Sequence, residues 1–312
     1  LSRALPLPAP LARAWLALAA VPLLGSLVTE PAAMTIAALL LAPQLFTPAM
    51  PERAKYLALG TLFVNVSIGG TLSSFAAPPV LMVAATWHWD TPFMLAHFGW
   101  KAALAVLANA SLAIWLLRRH LLAMPADALQ AQPGGPVPWS VVAVHLGFLA
   151  GVVLLAHHPV AFLGLFLLFL GYCEAYARHQ TPLLIREALL VAFFLAGLVV
   201  LGGLQQWWLQ PLVAALTPGQ LFLGAAALTA VADNAALTYL GSLIEGIGPQ
   251  AQYALVAGAV AGGGLTVIAN APNPAGVALL KHGFADGAVG AGGLLRGALA
   301  ATVVALLALG LL

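Results

Sequence analysis

Long apolar runs cover most of this chain, and short groups of glycine, proline and charged residues separate them. A helix needs about 20 apolar residues to cross a membrane. The pattern therefore predicts an all-α polytopic membrane protein. Uninterrupted spans are predicted at about 95–117, 139–157, 160–177, 186–203 and 287–310.

Two other apolar segments are interrupted near their middle by an acidic residue. The first runs from about 10 to 48 around Glu30, and the second runs from about 219 to 247 around Asp233. Each arm is marginal in length for a complete span. We therefore predict two re-entrant helical hairpins, each with an acidic residue at its tip.

Two further segments, at about 56–88 and 250–282, are interrupted by glycines followed by polar residues. They predict transmembrane helices with unwound centres. Irregular backbone at membrane depth is tolerated only where protein buries it or where it lines a wet cavity. The four interruptions therefore mark the candidate site.

The interrupted segments resemble each other in sequence. Residues 28–35 share four of eight positions with residues 231–238, and residues 69–79 share five of eleven with residues 262–272. This alignment pairs Glu30 with Asp233. Transporters are often built from two such repeats, with broken helices at matching positions. We assign residues 1–120 to a first repeat, 121–138 to a linker and 139–312 to a second repeat.

Composition supports the membrane assignment and excludes other classes. Hydrophobic residues make up 62% of the 312 positions and charged residues only 6%, with a mean hydropathy of +1.02. Soluble domains carry about 25% charged residues. The net charge of +2 gives no indication of nucleic-acid binding, and the single Cys173 excludes an internal disulfide.

The basic residues outside the spans predict an inverted arrangement of the two repeats. When the predicted segments are placed across the membrane in chain order, the basic clusters all lie on the same side of the membrane. These clusters are around Arg53, Arg118, Arg178 and Lys281. This agrees with the positive-inside rule for a multi-pass protein of the bacterial inner membrane. Three spans precede the second hairpin and none precedes the first, so we expect N-terminal helices of the first repeat to be missing here, or that repeat to be shorter.

Glu30 and Asp233 are the leading candidates for chemistry. An ionisable residue near the bilayer centre is costly and is by default a functional hypothesis. A carboxylate together with backbone carbonyls suits a hard cation such as Na⁺, and a carboxylate in apolar surroundings also takes up a proton readily. One such group can therefore hold either ion. The alternative role is an N-cap of the following half-helix.

Neutral polar residues around the breaks supply further oxygen atoms, either for an ion or for bonds between helices. These are Asn234, Thr35, Thr238, Asn270, Asn273, Thr266, Thr71, Ser73 and Ser74. Gly70 and Gly263, inside the glycine groups, permit close backbone approach. Lys101 and Arg296 are candidate counter-charges, or else they extend to the membrane interface. We expect no metal site and no cofactor.

Residues 262–274, together with residues 231–234, resemble the ion transporter superfamily, which includes sodium/proton antiporters and carriers of arsenite, citrate and dicarboxylates. The closest resemblance is to the bacterial putative sodium/proton antiporter family. It implies inverted repeats, elevator-type motion and a homodimer. It also implies one half-site at Asp233, Asn234 and 270–273, and a second at Glu30 and 69–74. In the first repeat, 77–79 lacks the asparagines of its counterpart.

These observations predict a secondary transporter that exchanges Na⁺ for H⁺ by alternating access, with Asp233 as the main carboxylate and Glu30 as the second. It would be no enzyme, and its partners would be the two ions and membrane lipid. One alternative is a sodium-coupled symporter of an organic or inorganic anion, with Lys101, Arg296 and helix N-termini holding the anion. An intramembrane acid hydrolase and a non-transporting scaffold are further alternatives.

Overall fold

A computed structural model describes residues 6–123, 137–155, 158–180, 183 and 185–312, and these residues form helices joined by turns. The predicted all-α class is therefore confirmed. Most of the predicted linker, at 124–136, lies outside the described residues. The helices of the first part are α1 (Ala9–Leu18), α2 (Ala20–Val28), α3 (Glu30–Leu45), α4 (Glu52–Gly69), α5 (Pro78–Trp87), α6 (Thr91–Met94) and α7 (Trp100–Leu122).

The later part of the chain continues in the same way. Its helices are α8 (Trp139–Leu154), α9 (Pro159–Ala175), α10 (Ile185–Gly202), α11 (Gln206–Ala214), α12 (Pro218–Thr229), α13 (Asn234–Ser242), α14 (Pro249–Gly262), α15 (Asn273–Leu280) and α16 (Ala291–Leu311). Proline occupies the first turn of several of them, including α3, α5, α14 and α15. Its fixed φ and missing N–H suit that position.

Several helices have the length and composition of membrane spans. Among the described residues, Ala9–Val28, Thr91–Leu122 and Ala291–Leu311 are long and apolar enough to cross a membrane. The pair Ala188–Gly202 and Gln206–Val213, bent by 81°, would make a fourth if it forms one span. These lengths and compositions are those of a helical membrane protein.

The chain divides into two compact units. Residues Leu1–Leu129 and Val191–Leu312 form the first unit, and Gln130–Leu190 form the second. In the second unit α8 packs against α9 through aromatic rings, with Phe148 and Phe169 in edge-to-face contact at 5.2 Å between centroids. All of the predicted site residues belong to the first unit.

Helices that follow a break pack on the other half of the chain. α3, which follows the first break, packs against α15, and α13, which follows the second, packs against α5. α2 packs against α4 within the first half, as α12 packs against α14 within the second. Because α3 and α13 each pack on the opposite half of the chain, the helix breaks of both halves lie close together.

Close packing of α12 on α14 depends on glycine. A side-chain carbon at Gly258 would collide with the carbonyl oxygen of Phe222, whereas one at Gly224 would meet nothing within 4 Å. We expect Gly258→Ala to lower the free energy of unfolding by about 1–3 kcal/mol through overpacking. Gly224→Ala should be neutral or slightly stabilising, because alanine is the better helix former. Thermal unfolding of both purified variants checks this, and equal melting temperatures would contradict the packing argument.

Candidate functional site

The first break lies at Thr29, between α2 and α3. Thr29 has φ of 83°, a left-handed conformation that a β-branched residue rarely adopts. Such strained residues cost about 1–3 kcal/mol and cluster at functional sites. The turn places Glu30 at the first position of α3, where its N–H donates to the carbonyl of Ala76 at 3.5 Å.

Glu30 is completely buried at this break. Its Oε2 accepts a hydrogen bond from Nδ2 of Asn270 at 2.7 Å, which links the first half of the chain to the second. Its Oε1 has no hydrogen-bond donor among the described residues. Gly70 is directly beside this oxygen, since a side-chain carbon there would lie 2.6 Å from Oε1. Glycine at this position therefore makes room for the carboxylate.

The second break runs from the end of α12 to Asp233. Asp233 caps α13, with its Oδ1 accepting from the backbone N–H groups of Ala235 at 2.8 Å and Ala236 at 3.1 Å. Asn234 follows as the first residue of α13 and is completely buried. Asp233 is only partly buried. The structure therefore gives Asp233 the capping contacts considered above as its alternative role, without removing its charge from the site.

The unwound segments after α4 and α14 meet these breaks. The N–H of Asn234 donates to the carbonyl of Ala269 at 3.0 Å, and its Nδ2 donates to Oγ of Ser67 at 3.4 Å. A side-chain carbon at Gly263 would collide with Ser67 and lie 2.8 Å from Nδ2 of Asn234. Gly263 therefore permits the approach of the second half to α4, as Gly70 does for Glu30.

Four buried oxygen atoms at the breaks have no hydrogen-bond donor among the described residues. They are Oε1 of Glu30 and the Oδ1 atoms of Asn234, Asn270 and Asn273. An unsatisfied buried polar group costs about 1–3 kcal/mol. A bound cation, which accepts electron pairs from oxygen, or a bound water molecule would satisfy them.

The orientation of the amides is fixed by their neighbours. Nδ2 of Asn273 donates to the carbonyls of Gly263 at 2.8 Å and Thr266 at 2.9 Å, and carbonyls can only accept. Ser67 donates its own hydroxyl to the carbonyl of Val260 at 2.8 Å, so its oxygen must accept from Asn234. Rotating either amide would place oxygen against oxygen. The unpartnered Oδ1 atoms of these two residues thus follow from the network.

The two carboxylates are connected through consecutive residues of the unwound segment after α14. Asn270 donates to Glu30, and the carbonyl of Ala269 accepts from the N–H of Asn234, the residue after Asp233. Two nearby carboxylates resist being ionised together, and either a proton or a cation relieves their repulsion. The pair therefore favours the uptake of positive charge.

Contacts in the first half recur in the second with constant spacing. The hydroxyl of Ser73 donates to the carbonyl of Ser26, and that of Thr266 donates to the carbonyl of Ala230. The backbone N–H of Glu30 donates to Ala76, and that of Asn234 donates to Ala269. Gly69 closely approaches the backbone of Pro22, and Gly262 approaches that of Ala226. The unwound segments are offset by 193 residues, as in the sequence alignment, but the breaks are offset by 204. These contacts pair Glu30 with Asn234 and Thr29 with Asp233, one residue away from the pairing that the sequence suggests.

The remaining polar candidates bond mainly to nearby backbone. Thr35 donates to the carbonyl of Pro31 at 2.9 Å, and Thr238 donates to that of Ala235 at 3.2 Å, each within its own helix. Ser73 and Thr266 brace the breaks through the bonds just described, at 2.7 and 2.9 Å. The hydroxyl of Ser74 lies 3.3 Å from that of Thr91. Thr35 and Thr238 therefore bond within their own helices, whereas Ser73 and Thr266 each connect an unwound segment to the break in the same half of the chain.

Both candidate counter-charges have other partners. Nζ of Lys101 donates to the hydroxyl of Tyr253 at 3.0 Å, and Nε of Arg296 donates to the carbonyl of Gly292 at 3.1 Å. Arg296 is exposed. The structure does not bring either cation into hydrogen-bond contact with Glu30 or Asp233 in the part of the chain that it describes.

Two serines of the site are absent from the sequence-based set. Ser67 links α4 to α14 and Asn234, and Ser26 donates its hydroxyl to the carbonyl of Gly69 at 2.6 Å while accepting from the N–H of Leu72. Their only signal in the sequence is a hydroxyl within an apolar run. That signal does not distinguish a helix-to-helix bond from a bond within one helix.

Broken apolar helices that meet around buried polar residues are typical of membrane transport proteins. The profile of the family described as "Putative Na+/H+ antiporter" matches residues 1–312, and the chain belongs to this family. It is therefore a membrane protein of sodium transport and antiport, as the resemblance in sequence indicated. Comparison with curated proteins and with solved structures gives no match.

Proposed function

We propose that this chain exchanges Na⁺ for H⁺ at the cluster formed by its four helix breaks. The observation that carries the proposal is the set of four unpartnered buried oxygens, on Glu30, Asn234, Asn270 and Asn273. One of the four belongs to a carboxylate and three belong to amides. Hard cations prefer such oxygen ligands.

The carboxylate gives the site its exchange chemistry. Ionised Glu30 supplies a full negative charge to a cation, and protonated Glu30 removes that charge and weakens the site. Desolvation of a buried carboxylate favours the protonated form, so bound Na⁺ and bound H⁺ compete for the same oxygen. Competition of this kind is the minimum requirement for coupled exchange.

We assign the principal role to Glu30 and a supporting role to Asp233. Glu30 is fully buried and offers an oxygen without a donor, whereas Oδ1 of Asp233 already accepts two backbone N–H groups. This reverses the order proposed from the sequence. The charge of Asp233 strengthens cation binding by the pair and makes uptake of a proton easier.

The matched contacts support two inverted repeats with re-entrant hairpins. Each half would contribute a hairpin, α2–α3 or α12–α13, and a broken helix, α4–α5 or α14–α15. Alternating access would then expose the cluster to one side of a bacterial inner membrane at a time, in a homodimer with elevator-type motion. The bond from Asn270 to Glu30 ties the two repeats together at the site.

The symport of an anion has less support from the contacts. An anion site in the membrane needs a positive group to offset the two carboxylates. Lys101 donates to Tyr253 and Arg296 lines an exposed cavity away from the breaks, and neither bonds to Glu30 or Asp233 in the part of the chain that the structure describes. We therefore propose exchange of cations rather than sodium-coupled anion transport.

The proposal is tested with the purified full chain in proteoliposomes. With an acidic interior, protons leave and radioactive sodium should accumulate, and collapse of the pH gradient should stop the uptake. Because protons compete for Glu30, equilibrium Na⁺ affinity should fall as pH falls, by about tenfold per pH unit once the carboxylate titrates. Uptake that requires an added organic or inorganic anion would contradict the proposal and support symport.

A further inference from the structure

A cavity that contains charged side chains lies at the junction of α4 and α16, apart from the helix breaks. It has a volume of about 670 Å³ and is lined by Glu52, Arg53, Tyr56, Leu57, Gly293, Arg296 and Gly297. Pockets of about 300–1,000 Å³ are typical of small-molecule sites. Its residues play no part in the proposed exchange.

The charge in this cavity is positive. Oε1 of Glu52 accepts from Nζ of Lys55 at 2.9 Å and from the N–H of Ala285 at 3.3 Å, so its negative charge is already compensated. Two guanidinium groups remain, from Arg53 on α4 and Arg296 on α16. Planar guanidinium groups are suited to phosphate oxygens, which they contact through two parallel hydrogen bonds.

Tyr56, which lines the same cavity, offers a further donor. Its hydroxyl oxygen accepts from the N–H of Gly290 at 3.0 Å, which leaves the hydroxyl hydrogen free to donate. Gly293 packs against the ring, since a side-chain carbon there would overlap it, and Gly297 packs in the same way against the backbone carbonyl of Tyr56. The donor is therefore held in place by packing.

An apolar stripe begins beside the cavity and follows α16. Its members are spaced four residues apart and exposed, at Leu295, Leu299, Val303, Leu307 and Leu311, with exposed fractions of 38, 47, 50, 51 and 77%. α16 is long and apolar enough to cross a membrane, and Arg296 lies near its first turn. When α16 spans a membrane, a cavity beside its first turns would lie near headgroup level, and the stripe would run in the direction of the acyl chains.

We propose that this cavity binds the phosphate headgroup of an anionic phospholipid, with an acyl chain along the α16 stripe. Basic pockets between transmembrane helices bind anionic headgroups in this way. The two arginines hold the phosphate, Tyr56 donates to it, and the stripe selects a lipid over free phosphate. The site is independent of the ion site, so it can exist whatever ion the protein transports.

The test measures binding of fluorescent phosphatidylglycerol to the full chain purified in detergent. Each lost arginine should weaken binding about fivefold, so Arg53→Gln with Arg296→Gln should weaken it by about 25-fold. The matched control for each single arginine variant is Lys101→Gln on α7, which also removes one positive charge. Lys101 contacts Tyr253, whose hydroxyl bonds to Leu309 at the other end of α16, so this variant should leave binding within about twofold because distant charges are screened.

Competitors then identify the source of the phosphate. Unlabelled phosphatidylglycerol should displace the probe, and inorganic phosphate should displace it only at far higher concentration. Equal binding by the cavity double variant and the wild type would overturn the proposal, as would displacement by inorganic phosphate as effective as that by the lipid. Circular dichroism on each variant excludes misfolding, and the single Arg53→Gln variant, from an exposed position, provides a second measurement.

Discussion

Replacement of Glu30 with glutamine should abolish sodium–proton exchange. Glutamine has nearly the same shape and can still accept the bond from Asn270, but it carries no charge and takes up no proton. A unit charge about 4 Å from a cation contributes about 4 kcal/mol at an effective dielectric constant of 20, so Na⁺ affinity should fall at least about 100-fold. Sodium uptake driven by a pH gradient and equilibrium Na⁺ binding measure the two effects.

A matched control uses the same chemical change at an exposed acid. Glu174 lies at the end of α9, exposed, and Glu174→Gln should leave both uptake and binding within about twofold of wild type. If Glu30→Gln retained coupled exchange, the proton would have to be carried elsewhere and the assignment of Glu30 would be wrong. If it lost proton coupling but kept Na⁺ binding, the three amides alone would be sufficient for the cation.

The places where helices break could be predicted from the sequence because their causes are local. Proline near the start of α3, α5 and α15 and glycine at the end of α4 and α14 are signals readable in a short window. The membrane class follows equally directly from the scarcity of charge. These features do not depend on which distant segments meet.

The break between α1 and α2 also has a local cause, although no predicted span ends there. It falls at Ala19, and Pro22 has no N–H to donate to the carbonyl of Leu18, four residues before it. Nδ2 of Asn65 donates to the freed carbonyl of Leu18 at 2.8 Å, and Nδ2 of Asn109 donates to Oδ1 of Asn65 at 2.9 Å. The position of this break can therefore be read from Pro22, but the side chain 47 residues away that satisfies the freed carbonyl cannot be read from the local sequence.

The composition of the ion site could be predicted only in part. Acidic and amide residues at the breaks stand out in an apolar chain, which is why Glu30, Asp233, Asn234, Asn270 and Asn273 were all candidates. Which of their oxygens lack donors depends on the three-dimensional network. The sequence alignment pairs Glu30 with Asp233, whereas the backbone contacts to Ala76 and Ala269 pair Glu30 with Asn234. The residue of the second half that occupies the position of Glu30 is therefore known only from the three-dimensional contacts.

The second large effect is expected for Asp233→Asn. Asparagine caps a helix about as well as aspartate, so the bonds to Ala235 and Ala236 should persist and thermal stability should change little. The negative charge beside Glu30 is lost. Asp233 would lie farther from the bound Na⁺ than Glu30 does, so its charge contributes a smaller attraction, about 2 kcal/mol. Loss of this attraction should lower Na⁺ affinity about 30-fold and slow the exchange.

Asp233→Ala separates the two roles of this side chain. Alanine removes the cap as well as the charge, and loss of a capping side chain costs about 1 kcal/mol. Asp233→Ala should therefore match Asp233→Asn in Na⁺ affinity but melt at a lower temperature. If Asp233→Asn transported sodium as fast as the wild type, Asp233 would act only as a cap. Glu30 would then be the sole carboxylate that exchange requires, because the remaining oxygens at the breaks belong to neutral amides.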